Sequence, residues 1–579
     1  MFDAIKGNKI AKFIPMLAIV LIGFAVYSSG LSNQFAYDDA NQIVNATPVH
    51  SIKNIGTFFG TGTFFDGTAP LKGSYYRPLM TTTFSLIYTI FGANPFPYHL
   101  VQLCIGILSS LLLYLLFKKI FKEILAFSLS ILFLLHPINS QIMFAIPSMQ
   151  DTLFVFFGLA ATYILFNFKS NRSLLLVVSF LVLSLLSKES GLLFVLMSGL
   201  YLLGFDKRRL LPFSGLMLLP LGAYSYLKVN AVGWYLTPGN APIDYIGLAG
   251  RIIMIPQVTM FYILKFIFPQ KLAMSYYWIH PTFDFKHFIL PLIVELIVLA
   301  MIIIVALKIK RKNEMAFRSY LYFSTWAFLG MLLHLQIKPL DMTVCENWFY
   351  FPMIGLLGAI GVAITILYIP KRNMHIALSA LCIIVLTVLG VRTYLRGYDW
   401  KDQNTITFNT LKATEDNYVA LYKTSIYYYN KSDYNSARQY SADATKAFRQ
   451  YAYSYEILGR SNAKLGNYPA AQSAYQTGLE YADIRSLYEN LGALTTVYGT
   501  KNHNKQYLVE TLQSHPDDPY LLAYLAIFEY REGNIKSARA EITKAAQLNT
   551  ESVLIPYIYN MIINNQPLKI EASTLSSTI

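Results

Sequence analysis

The chain is poor in cysteine, with three in 579 residues. Cys104, Cys345 and Cys382 lie far apart, which excludes a disulfide framework and any zinc-type ligand spacing. Acidic residues are scarce in the first two-thirds. Residues 1–399 hold 15 Asp/Glu against 30 Lys/Arg, whereas 400–579 hold 17 of each. The positive excess therefore lies wholly in the apolar part. No basic patch stands on a soluble domain, which argues against nucleic acid as a partner. What the chain has instead is hydrophobic residues, 55% of the total. That is too many for an ordinary soluble protein of this length.

Crossing the hydrocarbon core takes roughly 20 apolar residues. Eleven runs qualify as candidate helices: about 13–31, 98–117, 124–140, 151–167, 173–187, 190–204, 210–228, 288–307, 318–335, 348–369 and 374–391. Lys6, Lys9 and Lys12 precede the first run as in a signal peptide. No small-residue cleavage site follows, so it reads as a retained span. Basic clusters fall on every second loop: Lys118, Lys119 and Lys122; Lys169 and Arg172; Lys207, Arg208 and Arg209; residues 308–312; Lys371 and Arg372. The positive-inside rule then puts the N-terminus in the cytoplasm and the C-terminus outside. Two further apolar stretches, 79–92 and 251–268, would invert this pattern if counted as spans. They are expected to lie as interfacial or re-entrant helices on the outer face. Short loops and the lack of a retention signal make a bacterial inner membrane the expected location.

From about residue 400 the chain becomes Tyr/Ala/Leu-rich, with a period of about 34 residues. Segment 452–485 carries Leu458, Gly459, Gly466, Tyr468, Ala471 and Tyr475. Segment 519–552 answers at the same offsets with Leu525, Ala526, Gly533, Ala538 and Ala545. Segment 418–451 fits more loosely and 486–518 least. Small residues let two helices of a unit pack closely, and glycine makes the turn between them. The expected fold class is all-α: a polytopic membrane domain of about 11 helices over 1–399, then an α-helical solenoid over 400–579. Such arrays present a concave surface to a polypeptide. The plainer reading is a structural helical cap.

Polar residues collect where the spans reach the outer face. "QFAYDD" ends in Asp38 and Asp39, followed by "SYYRPL" with Arg77, then His99, His136, Asp151, Lys188-Glu189 and Glu346. Ionisable groups at membrane depth are costly and mark function. Carboxylates at a dry edge suit general-base catalysis, and fixed cations suit a phosphate that gains charge as it leaves. Plainer readings stand beside these. Arg77 would anchor at the interface with Tyr75 and Tyr76. Lys188 would snorkel and pair with Glu189. His136, before Pro137, would cap a helix end, and His99 would hydrogen-bond at the interface. Glu295, inside the eighth run, would be a buried structural acid.

Taken in order, "FAYDDANQIVNA", "SYYRPLMTTTFSLIYTIFGANPFPYHLVQL", "HPINSQIMFAIPSMQDTLF", "LLSKESGL" and "ENWFYFPMIG" resemble one family. It is the transmembrane and tetratricopeptide-repeat-containing O-mannosyltransferases and their bacterial relatives, within the GT-C membrane glycosyltransferases. The resemblance spans about 1–400, and the repeat tail matches the same two-part layout. It implies a polyprenyl-phosphate-linked sugar donor and inversion at the anomeric carbon. It implies that one of Asp38 and Asp39 is the base for the acceptor hydroxyl, with a lean to Asp38. The other would orient the acceptor or hold the sugar. It implies that Arg77 and Lys188 meet the donor phosphate, and that His99, His136 and Glu346 shape the donor pocket. The chain departs from the family at Met149, where Arg is frequent, and after Glu346, where Asn347-Trp348 replaces the more usual Arg. Adjacent carboxylates can hold a divalent cation, but the resemblance implies no required metal, so no cofactor is expected.

The expected function is therefore transfer of a sugar from a lipid-phosphate carrier to a hydroxyl, of Ser or Thr in a polypeptide engaged by the repeats. Two other readings stay open: a transferase of the same fold acting on a lipid or polysaccharide, and a non-enzymatic membrane-anchored scaffold. A transporter is disfavoured by an odd helix count and no visible internal repeat.

Overall fold

The computed structural model describes residues 13–65, 75–234, 241–367, 372–414, 416–498, 501–549 and 553–568. Lys6, Lys9, Lys12 and Lys371, used above for topology, lie outside them. Two compact units result, Met1–Thr414 and Glu415–Ile579. Both are helical, and the described residues contain one isolated bridge, Tyr276 with Val344, and no longer strand.

In the first unit the helices are α1 Ile14–Tyr27, α2 Ile55–Gly60, α3 Pro78–Phe91, α4 Pro95–Phe117, α5 Glu123–Leu135, α6 Ser140–Phe144, α7 Met149–Asn167 and α8 Ser173–Ser187. They continue with α9 Gly191–Phe205, α10 Leu210–Val232, α11 Leu248–Ile267, α12 Leu290–Lys312, α13 Glu314–Leu332, α14 Tyr350–Leu367, α15 Arg372–Asp399 and α16 Gln403–Ala413. Each of the eleven expected runs is helical, but they are not alike. By length and composition, α4, α7, α10, α12, α14 and α15 can each cross a membrane. So can α11, the stretch expected to lie at the interface. The run 124–140 bends by 49° between α5 and the segment Pro137–Phe144, where Pro137 cannot continue the helix. α1, α8 and α9 are shorter apolar helices.

Burial sorts these helices into layers. The apolar window of α7 is 72% buried and that of α14 61%, whereas α12 buries 6% and α10 and α15 bury 11% each. Helices apolar all round and buried form a centre, and apolar helices left outward need lipid around them. α13 and α14 approach closely because Gly355 has no side chain: a Cβ there would sit 2.4 Å from the Ala327 backbone nitrogen. Glu295, on α12, accepts a hydrogen bond from Thr259 of α11 at 3.5 Å, so this acid joins two helices.

Among its described residues the second unit has four helix pairs and one further helix. They are α17 Tyr418–Asn430 with α18 Tyr434–Ala447, α19 Ala452–Lys464 with α20 Tyr468–Tyr481, α21 Arg485–Tyr498 with α22 Lys501–Ser514, and α23 Pro519–Arg531 with α24 Ile535–Leu548. α25 Leu554–Ile563 closes the array. The pairs start at the expected period, including the poorly patterned third one. Gly466 and Gly533 turn the chain at φ +77° and +85°, a conformation glycine adopts without steric cost. Gly459 lets the Tyr475 ring fill the space a Cβ would take. Asn417, Asp433 and Asp518 cap helix starts through backbone N–H groups at 3.0–3.1 Å.

Candidate active site

The acid pair follows α1 in a tight reversal. Tyr37 takes φ +54°, a left-handed conformation rare for a residue with a Cβ. The Ala36 N–H donates to Asp39 Oδ2 at 2.7 Å, and the Asp39 N–H returns to the Ala36 carbonyl at 3.2 Å. One Asp39 oxygen is thus spent on the turn. Its other oxygen, Oδ1, is buried with no hydrogen-bond partner in the protein. Burial pushes the Asp39 carboxyl above the usual range, against the Ala36 hydrogen bond, and the charge of Asp38 adds to the rise. Asp38 is only half-buried.

Both aspartates line a cavity of about 660 Å³. Arg77, at the start of α3, and Lys188, just past the end of α8, line it too. Each cation is held by an acid. Lys188 Nζ lies 2.6 Å from Asp151 Oδ1, and Arg77 Nε lies 3.7 Å from Glu189 Oε2. Lys188 is extended (φ −158°, ψ 145°), so its side chain and that of Glu189 diverge. The expected pairing of these chain neighbours is therefore exchanged for two longer-range pairs. Burial raises the Glu189 carboxyl, but Arg77 and Lys228 outweigh it and leave the group below its ordinary range. Arg77 also stacks 4.1 Å from the centre of the Tyr75 ring, and the Tyr75 hydroxyl donates to Asp341 at 2.7 Å. Lys228 of α10 and Lys338 line the cavity outside those pairs.

The other sequence candidates lie off the cavity wall. His99 is buried at the start of α4. His136 caps the turn after α5: its Nδ1 accepts from the Ile138 N–H at 3.2 Å, which leaves Nε2 to donate to the Phe266 carbonyl at 2.9 Å. Glu346 is fully buried, with Oε1 accepting from the Ala273 N–H at 2.7 Å and the Tyr276 hydroxyl at 2.6 Å. Its neighbours Cys345 and Asn347 face the cavity in its place.

Several lining residues were not singled out as site residues in the sequence. Gln42, Gln150, His334 and Asn347 each bring a buried polar atom with no protein partner. Together with Asp39 Oδ1 they give the wall unmet hydrogen-bonding capacity, which a polar ligand rich in hydroxyls can satisfy. Gln42 sits four residues after Asp38, on one face of the same helical turn, so that spacing was a usable signal. His334 carried none; it is brought in by stacking on Trp348 at 4.8 Å. Among the described residues no group of three or more His, Cys, Asp or Glu is arranged to hold a metal ion.

A family model described as dolichyl-phosphate-mannose-protein mannosyltransferase matches residues 77–227. That stretch contains Arg77, His99, His136 and Lys188 and stops short of the acid pair. The chain is 31% identical over 185 residues to the protein O-mannosyl-transferase F38B6.6 of Caenorhabditis elegans, covering 31% of this chain and 26% of the relative. It is 33% identical over 131 residues to the protein O-mannosyl-transferase TMTC1 of Homo sapiens, covering 22% and 15%. With TMTC3 of Homo sapiens the similarity is 21% over 510 residues, covering 79% and 54%. The chain thus spans about half or less of the length of these relatives. Among solved structures, a thermophilic TPR protein of Thermus thermophilus matches at 20% identity and a TM-score of 0.24, covering 30% of this chain and 96% of that one. The resemblance read from the sequence is borne out: the chain is similar to the transmembrane and tetratricopeptide-repeat-containing O-mannosyltransferases.

Proposed function

We propose that the chain is a membrane glycosyltransferase of the GT-C type. It moves a sugar from a polyprenyl-phosphate carrier to a hydroxyl, of Ser or Thr in a polypeptide, with inversion. The observation that carries this reading is the shared cavity. The acid pair Asp38 and Asp39, three further carboxylates (Glu189, Asp244 and Asp341), four cations and a row of unpartnered buried polar atoms line one space of about 660 Å³. Asp38 is the better base, because Asp39 commits an oxygen to the turn and is held toward its neutral form by burial. A base near the acceptor takes the hydroxyl proton as the oxygen attacks the anomeric carbon. The sugar–phosphate bond breaks on the opposite face, and the phosphate leaves with the bonding electrons.

That leaving group needs charge stabilisation and no proton. Arg77 and Lys188 are partly neutralised by Glu189 and Asp151, whereas Lys228 and Lys338 bring charge outside those pairs. Lys228 and Lys338 therefore join Arg77 and Lys188 as partners of the phosphate. Neutral amides and an imidazole suit an uncharged sugar. No metal is required in this scheme. The acid pair faces the extracytoplasmic side, the repeats lie there too, and they engage the acceptor polypeptide.

The test is a transfer assay with purified protein, a panel of polyprenyl-phosphate sugars and a Ser/Thr-containing peptide. Asp38→Asn and Asp39→Asn should each abolish transfer in a protein that still inserts. Normal transfer by both variants sinks the reading. Removal of 415–579 should impair transfer to a polypeptide selectively; equal loss with a lipid acceptor points to a transferase of other substrates.

A further inference from the structure

We infer that α16 is the clamp that sets the acid pair, with Gln403 and Thr407 as positioning residues acting through Tyr37. This rests on the reading of Asp38 as the base. The strained residue is the starting point. A tyrosine at φ +54° sits in a region that is sterically unfavourable for an L-residue. Such a conformation persists where its surroundings over-determine it.

The surroundings are the end of the membrane unit, more than 360 residues further along the chain. The Tyr37 N–H donates to Gln403 Oε1 at 2.7 Å. The Thr407 hydroxyl gives its proton to the Gln403 carbonyl at 2.8 Å, so in its 2.9 Å contact with Tyr37 the tyrosine hydroxyl is the donor. Tyr37 is therefore held at both its backbone and its ring tip by one turn of one helix. The approach to it is held as well. Ser29 Oγ donates to the Tyr394 carbonyl at 2.7 Å, Asn33 to the Gly397 carbonyl at 3.1 Å, and the Gln34 N–H to the Lys401 carbonyl at 2.8 Å. α16 is itself fixed at its start by Asp402, which accepts from the Thr405 N–H at 2.9 Å.

The left-handed residue has a geometric consequence. It turns the chain leaving α1 so that Asp38 and Asp39 open the next helical turn toward the cavity. A right-handed or extended Tyr37 would rotate both side chains away. Ile406 of α16 and Trp400, just before that helix, line the same cavity, so the clamp also forms part of the wall. The sequence contains no sign of this link, because Gln403 and Thr407 lie in an ordinary polar helix.

The experiment separates backbone geometry from packing in the full chain, in nanodiscs. The probes are mannosyl-phosphoryl-polyprenol and a Ser/Thr-containing peptide. Two readouts are used: transfer kinetics, and hydrogen exchange of the 36–40 amides. Tyr37→Gly should retain more activity than Tyr37→Ala, and Tyr37→Val should retain least, since a β-branched residue tolerates positive φ worst. Gln403→Ala should lower kcat about ten-fold or more with KM for the donor little changed, as expected for a misplaced base. Thr407→Ser should restore what Thr407→Val loses. Exchange at 36–40 should quicken in Gln403→Ala. The reverse order at position 37, with Val above Gly, overturns the clamp, because it is the signature of packing. So does unchanged exchange in Gln403→Ala, whatever the activity. Normal transfer by Asp38→Asn with faster exchange in Gln403→Ala overturns the assigned base and leaves the clamp standing on its own.

Discussion

Asp518 in the repeat unit and Asp39 in the membrane unit are both buried carboxylates at the start of a helical segment. Asp518 Oδ1 accepts forward from the Tyr520 and Leu521 N–H groups at 3.0 Å, and its other oxygen lies 3.3 Å from Arg485. Every part of it closes the fold. Asp39 accepts backward, from Ala36, and leaves its second oxygen without a partner against a cavity. The two carboxylates are equally hidden, but one is spent on stability and the other is withheld from it. A buried polar group left unpaired costs free energy, so it marks where the chain keeps capacity for something other than folding.

The sharpest way to break this contrast is at the more exposed partner of the pair. Asp38→Asn should lower transfer by roughly 10²–10⁴, the usual worth of a general base, with the melting temperature unchanged. A parallel loss of melting temperature would put Asp38 in the same class as Asp518. Lys188→Ala should act differently, since it strands Asp151, which is 1% exposed. Breaking a buried pair costs about 3–5 kcal/mol, readable as a fall in thermal midpoint. The double change Lys188→Met with Asp151→Leu should recover most of that stability and none of the activity. Lys228→Ala removes a cation outside the two ion pairs that still acts on Glu189 through its charge. It should cost about ten-fold in kcat, with a fall in thermal midpoint smaller than that of Lys188→Ala.

These distinctions were only partly visible in the chain. The helices were legible because apolar runs of span length have few other uses, and two of the repeats because a turn at positive φ favours glycine, as at Gly466 and Gly533, whereas the first pair makes the same turn with Ser432 at φ +61°. The gathering of Asp38, Asp39, Arg77 and Lys188 at one level followed from their places beside helix ends. Pairing was not legible. Adjacent Lys188 and Glu189 looked like partners, but an extended residue sends successive side chains apart. Glu346 and His136 looked like pocket residues, but His136 binds backbone groups and Glu346 binds the Ala273 N–H and the Tyr276 hydroxyl, and neither lines the cavity. Tyr37 carried no signal at all, since nothing in a tyrosine marks it as left-handed until residues 403–407 are folded beside it. The charges of the stretch 251–268 find partners within the fold. Arg251 is absorbed by the Gln336 carbonyl at 2.9 Å, and Lys265 donates to the Lys271 carbonyl.

Smaller effects sharpen the comparison from its structural side. Asp518→Ala removes a cap and a partner of Arg485, and should cost about 1 kcal/mol. The loss should show in the unfolding of 415–579 by hydrogen exchange, with no change in turnover on a soluble donor analogue.

Asp39→Asn should move stability the other way, though by less. The folded Asp39 carboxyl lies above its unfolded value of 3.8 because burial opposes its charge. A group raised in this way contributes its stability fully below the unfolded value and loses it as pH rises through the folded value. At neutral pH the wild type therefore carries a penalty that asparagine does not, while the asparagine oxygen still accepts from Ala36. The variant should melt slightly higher than the wild type at pH 7. The difference should shrink on acidification and vanish below about pH 3.8. Melting curves of the two proteins across that range decide it. A lower midpoint for Asp39→Asn at pH 7 would mean that Asp39, like Asp518, is there to hold the fold.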